Sequence, residues 1–242
     1  MTDKLARKIV DVSMSRAKAD LCLKNANVVD VYNKTTFLTD VYIVDGYFAA
    51  FKGPIEAKET IDIKGKYLIP GFIDAHCHIE SSHLSPSAFS DAVVPCGTTT
   101  VVADPHEICN VAGLDALSYM LKASENIPLS VFYMFPSCVP ATPFENAGAV
   151  LTSQDILKVI DNERILGLGE MMNYPGIIYG DDEVFKKLGV AYDKKKNIDG
   201  HSPAIKDNIL DAYTACRITT DHECDTAEEL VERVRRGMYV ML

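Results

Sequence analysis

The chain has 242 residues, 48% hydrophobic and 24% charged, with 34 acidic against 24 basic side chains and a formal net charge of −10. That is ordinary globular composition with material for a large core in one or two domains, and its acidic balance argues against nucleic acid or anionic membranes as main partners. No apolar run reaches the roughly 18 residues of a membrane-spanning helix, and the N-terminus MTDKLARKIVDVSMSRAKAD lacks the apolar centre of a signal peptide.

Residues 4–19 predict a short amphipathic helix, with Leu5, Ile9 and Val12 near helical spacing. The runs DLCLKNANVVDV, FLTDVYIVDGYFAAF and ETIDIKGKYLI then read as strands between polar turns, and Asp45-Gly46 is a hairpin signal. Residues 1–69 are therefore expected to form an N-terminal helix and a small, sandwich-like β domain.

From residue 70 to 242 the rhythm changes to strands alternating with helices. Strands are expected at GFIDAHCH, TTTVVAD, LSVFYMF, RILGLGE, NIDGHS, RITTDHE and MYVML. Between them, SPSAFSDAVVPCG, AGLDALSYMLKASEN, SQDILKVIDN, DDEVFKKLGVAYD, AIKDNILDAYTAC and TAEELVERVRRG have helical apolar spacing. Thr152 with Asp155, and Thr226 with Glu229, are capping-box pairs. Repeated strand–helix units predict an α/β chain with a parallel sheet, and their number suits an incomplete (β/α)8 TIM-type barrel, strands one to seven. A doubly wound sheet stays open as an alternative, although the Gly-rich dinucleotide fingerprint is missing. The last residues, GMYVML, read as the middle of strand seven. A barrel left open there would expose an unpaired edge, so a fragment of a longer polypeptide or a shortened product is expected. The seven cysteines are scattered without a CxxC pair, which suits reduced thiols and a cytoplasmic location.

The chemistry gathers where strands end. In a strand, residues i and i+2 share a face, so His76 and His78 project together, with Asp74 and Glu80 on that side and Cys77 on the other. Two imidazoles about 6–7 Å apart along a strand can converge on one metal ion. An isolated HxH pair is weak. Glu170, His201 and His222, however, also fall at the expected C-terminal ends of later strands, where barrel active sites lie. Imidazole with carboxylate suits zinc, iron or manganese. ADPHEI places Asp104, His106 and Glu107 just after strand two as acid/base groups, substrate contacts, further ligands or merely a polar loop. His83 is expected in a loop or helix start. Glu223 points to the opposite face if its strand continues, and Cys77 packs behind the ligands.

PGFIDAHCHIESS resembles the first-strand signature of the metal-dependent amidohydrolase superfamily. More closely, CGTTTVVADPHEICNVAG, MFPSCVPATPFENAGA, LGLGEMMNYPG, DGHSP, TDHECDTAEE and GMYVML resemble successive blocks of the bacterial adenine deaminase family, in order. The resemblance implies a two-metal site. His76 and His78 would hold one ion, His201 and His222 the other, and Glu170 would bridge them where many relatives use a carboxylated lysine. It implies manganese or iron, with zinc common in the wider superfamily. Asp104 and Glu107 match its DPHE block, which implies a role beside the metals or in handling protons on the purine. The implied reaction is hydrolytic attack on C6 of adenine by water that two divalent ions acidify. A protonated group helps ammonia leave, and hypoxanthine is the product. Strand eight of such barrels normally supplies an aspartate that takes the proton from the attacking water, and no residue here matches it. The expected partner is a small molecule, adenine, with a homo-oligomer left open. The alternatives are a catalytically incomplete metal-binding fragment, or an amidohydrolase acting on a cyclic amide.

Overall fold

In the computed structural model, which describes residues 1–142 and 144–242, the chain divides into two units, Met1–Pro70 and Gly71–Leu242. The first opens with α1 (Asp3–Ser13), where the Thr2 hydroxyl accepts the Leu5 N–H at 3.3 Å. The helix expected over 4–19 stops at Ser13 because the chain turns at Ser15, with φ of 56°, and feeds into β1 (Ala19–Asp30). β2 (Thr35–Val44) and β3 (Tyr47–Ala50) follow as an antiparallel hairpin. Its two turn residues, Asp45 and Gly46, sit at φ of 47° and 78°, the left-handed pair that matches the strand twist of a tight hairpin. β4 (Ala57–Asp62) and β5 (Tyr67–Leu68) both run parallel to β1. Among the described residues the strands of the β region are hydrogen-bonded into one mixed sheet, with Val12, Cys22, Tyr42 and Val44 in its buried core.

The second unit alternates strands and helices. Its elements are β6 (Phe72–Cys77), α2 (Pro86–Val93), β7 (Thr98–Ala103), α3 (His106–Ala123), β8 (Ser130–Phe135), α4 (Ser153–Val159), β9 (Ile165–Met171), α5 (Tyr174–Tyr179), α6 (Asp182–Lys194), β10 (Asn197–Gly200), α7 (Asp207–Ala215), β11 (Thr220–Asp221), α8 (Ala227–Arg235) and β12 (Tyr239–Val240). β6 to β10 form one parallel sheet in chain order, and β11 with β12 form a separate parallel pair. This is an incomplete (β/α)8 barrel. Its middle strands are runs such as SVFYMF, covered on both faces as a parallel sheet requires. Val101, Tyr133, Phe135, Ile165 and Leu168 are fully buried in one continuous core. The Tyr133 hydroxyl donates to the Met120 carbonyl at 2.9 Å and ties β8 to α3.

Two departures bear on the site. Phe72 and Ile73 of β6 are 58% and 67% exposed, because among the described residues no strand pairs with the outer edge of β6. α3 begins at His106, so His106 and Glu107 form its first turn instead of a polar loop. Among the described residues, no helix is long and apolar enough to cross a membrane.

Candidate metal centre

Glu170, in β9, is 2% exposed and stands among imidazoles from three other strand ends. His76 Nε2 lies 3.0 Å and His78 Nε2 2.9 Å from Glu170 Oε1. His201 Nδ1 lies 2.8 Å from Glu170 Oε2, and His222 Nε2 lies 3.8 Å from Oε1. The two-residue period of β6 brings its two Nε2 atoms within 3.2 Å of each other. His76 also stacks on His222, with ring centroids 4.0 Å apart. The structure thus brings together all five residues singled out as metal ligands.

His78, Glu170 and the main chain of His201 are held from behind. The His78 Nδ1–H donates to the Asp104 carbonyl at 2.8 Å, which fixes the ring with Nε2 toward Glu170. The Asp104 carboxylate accepts the Glu170 N–H at 2.8 Å, and the Ser137 hydroxyl donates to the Glu170 carbonyl at 2.6 Å. The Tyr213 hydroxyl donates to the Met171 carbonyl at 2.8 Å and accepts the His201 N–H at 2.9 Å, joining β9 to the end of β10.

Electrostatics agree with the geometry. Burial pushes the Glu170 carboxyl up, but the imidazoles of His201, His76 and His78 against its oxygens outweigh it and hold the group well below the usual carboxylate range. Burial pulls His78 down, yet Glu170 and the Asp104 carbonyl raise it to about 9. Burial and the stacked His76 push His222 down. Burial first, and then Glu107, push Glu80 up to about 7.

His76 Nδ1, Glu170 Oε1, His201 Nδ1 and His222 Nδ1 are buried without a hydrogen-bond partner. Buried polar atoms are ordinarily satisfied, and a divalent cation held by these nitrogens and oxygens would satisfy part of this set. Two donor groups, His76 with His78 and Glu170, and Glu170 with His201 and His222, each have ligand atoms within 4.8 Å of one another. The residues fit a divalent ion on either side of Glu170, and an all-nitrogen and oxygen set suits zinc, manganese or iron.

The remaining candidates separate. Asp104 is fully buried with Oδ2 on the Glu170 amide, while its Oδ1 has no partner and falls in a donor group with His106 and Glu170. Glu107 has a side chain 42% exposed, accepts the Ser81 hydroxyl at 2.6 Å and lies 3.6 Å from His78 Nδ1. His83 caps a short 3-10 turn at φ of 59° and joins none of the donor groups.

Two neighbours that the sequence left open or placed on the other face also reach the cluster. His106 Nδ1 lies 3.6 Å from Asp104 Oδ1 and 3.8 Å from Glu170 Oε1. The signal was there, since DPHE heads a helix once the helix is extended back to residue 106. Glu223 was expected on the opposite face, yet its Oε1 lies 3.4 Å from His222 Nε2 and 3.6 Å from His201 Nδ1. β11 ends at Asp221, so strand alternation does not govern residue 223.

The chain is 50% identical over 238 residues to an adenine deaminase of Nitratidesulfovibrio vulgaris (strain DP4), covering 98% of this chain and 41% of that one. It is 49% identical over 242 residues to adenine deaminase 2 of Desulfotalea psychrophila, covering 100% of this chain and 42% of that one. It therefore spans about two fifths of the length of these curated relatives. Among solved structures, the fold is similar to N-acyl-D-glutamate deacylase of Bordetella bronchiseptica complexed with zinc and a phosphonate inhibitor. There the TM-score is 0.61 at 16% identity, over 93% of this chain and 58% of that one. It is also similar to atrazine chlorohydrolase of Arthrobacter aurescens TC1 complexed with zinc, with a TM-score of 0.59 at 12% identity, over 91% of this chain and 64% of that one. Residues 67–241, nearly the whole of the unit that carries the histidines and Glu170, match the amidohydrolase family, and the chain belongs to that family.

Proposed function

We propose that this chain carries the metal centre of an adenine deaminase, which converts adenine and water to hypoxanthine and ammonia. The observation that carries the reading is Glu170, a buried carboxylate with one histidine pair at the end of β6 and another from the ends of β10 and β11. The identity of 50% to an adenine deaminase supports the substrate.

In this reading His76 and His78 would hold one divalent ion and His201 and His222 a second, with Glu170 available to both. Manganese or iron is the proposed metal, with zinc as the substitute. When bound, such ions supply Lewis acidity that makes water a nucleophile near neutral pH. The protein's own groups do the rest. Asp104 fixes Glu170 from behind. Burial pushes the Glu107 carboxyl up, but the Ser81 hydroxyl and Glu80 hold it below the usual range, so at the mouth it takes a proton from the attacking water and returns it to the departing N6 of the purine. The net charge of −10 agrees with a free base as substrate. All seven cysteines are free, which favours a reducing compartment, the cytoplasm.

A second reading is a metal-binding chain without turnover. Purified with manganese and given adenine, the chain is expected to release ammonia as adenine absorbance falls. Manganese binding without turnover supports the second reading. Hydrolysis of a hydantoin or dihydroorotate, with adenine untouched, overturns the substrate assignment.

A further inference from the structure

The ladder that aligns the barrel strands stops at β10. β11 pairs only with β12 among the described residues, yet His201 follows β10 and His222 follows β11. Along the two strands, the Thr219 N–H and hydroxyl donate to the Ile198 carbonyl at 3.1 and 3.3 Å, the Gly200 N–H donates to Thr220 Oγ1 at 3.1 Å, and the Thr220 hydroxyl donates to Asp199 Oδ1 at 3.2 Å. These bonds lie below the histidines, so something else must set the spacing of the two rings, whose centroids are 5.5 Å apart.

Asp221 and Arg233 supply it. Both side chains are fully buried, and Arg233 Nε donates to Asp221 Oδ2 at 2.9 Å. Asp221 Oδ1 accepts the N–H groups of His222 at 2.9 Å, Glu223 at 3.2 Å and Ser202 at 3.3 Å. Asp221 Oδ2 also accepts the Ser202 hydroxyl. The same guanidinium reaches the Ser202 carbonyl through Nη2. One arginine of α8 thus grips the residue next to His201 and the residue next to His222. A buried ion pair contributes little net stability over a well-packed apolar pair, whereas a planar fork with fixed donors is well suited to holding two loops in register.

We propose that Asp221 and Arg233 form a positioning pair that sets the distance between His201 and His222, and so governs the ion held there while leaving the His76 and His78 ion untouched. This rests on the reading of the four histidines and Glu170 as a two-metal centre. Neither residue touches substrate, and both act through the histidines.

The test is manganese binding by the full chain, with affinity and stoichiometry read by equilibrium dialysis and metal analysis. Arg233→Lys keeps a charge beside Asp221 but cannot also reach the Ser202 carbonyl. It is expected to bind one ion with wild-type affinity and the second about 10- to 100-fold more weakly, with an unchanged far-ultraviolet circular dichroism spectrum. Adding Arg233→Lys to His201→Ala is expected to weaken nothing further, because the half-site is already lost. Ser202→Ala, a smaller change, is expected to weaken the same single ion, and it decides the matter if the lysine variant does not fold. Two ions at wild-type affinity in the folded variant, or equal weakening of both, overturns the inference. A wild-type chain that binds no pair of ions overturns the reading of the centre instead, so the two failures are distinct.

Discussion

Asp104 Oδ2 accepts the main-chain N–H of Glu170 at 2.8 Å, so the residue that follows β7 holds a residue of β9 across the intervening β8. The close approach depends on Gly169. A Cβ at that position would lie 2.1 Å from Asp104 Oδ2.

Gly169→Ala is therefore expected to push the Asp104 carboxylate off the Glu170 amide and leave two buried polar groups without partners. Each orphaned group costs about 1–3 kcal/mol. The expected result is a lower urea midpoint together with loss of two-ion manganese uptake. Wild-type values for both would show that Asp104 can move without consequence.

Glu170→Gln preserves shape and removes the charge that two cations would share. Bound manganese is expected to fall from two ions per chain to one or fewer by metal analysis. Retention of two would refute Glu170 as the bridge.

Tyr213→Phe deletes one hydroxyl that serves two strands, since it donates to the Met171 carbonyl and accepts the His201 N–H. Two buried main-chain groups lose their partner. The unfolding free energy is expected to fall by about 1–3 kcal/mol in urea titration, and unchanged stability would mean that water replaces the hydroxyl.

The start of α4 provides a pH test away from the centre. The Lys158 ammonium, followed by the main-chain N–H and hydroxyl of Thr152, pulls the Asp155 carboxyl down to about 2. Because the folded value lies below the unfolded value of about 3.9, this contribution is present above that unfolded value and is lost as pH falls through the folded one. Asp155→Asn is expected to unfold at lower urea than the parent at about pH 6, with the gap closing toward about pH 2.5. A gap independent of pH would assign the effect to the amide's packing and not to charge.

The five proposed ligands were legible because two simple periodicities point at them. HxH puts His76 and His78 on one face of β6, and Glu170, His201 and His222 each fall at or near the C-terminal end of a strand of the same barrel-type unit. Where those periodicities lapse, the reading lapses too. Glu223 lies beyond a strand of only two residues, so its approach to His201 and His222 follows from the turn that the Asp221 carboxylate organises. Asp104 looked like a mouth residue because it follows β7, but its burial depends on a glycine 65 positions later in the chain.

Local sequence determined the strands, most of the helices, the hairpin at Asp45-Gly46 and the five metal-binding candidates, because apolar period, turn residues and strand-end position are short-range properties of the chain. Tertiary structure alone decided that Asp104 holds Glu170 from behind, that His106 and Glu223 join the cluster, and that Arg233 ties Ser202 to Asp221. Those relations join residues of different strands and helices, and only burial, which forces every enclosed polar group to find a partner, brings them together.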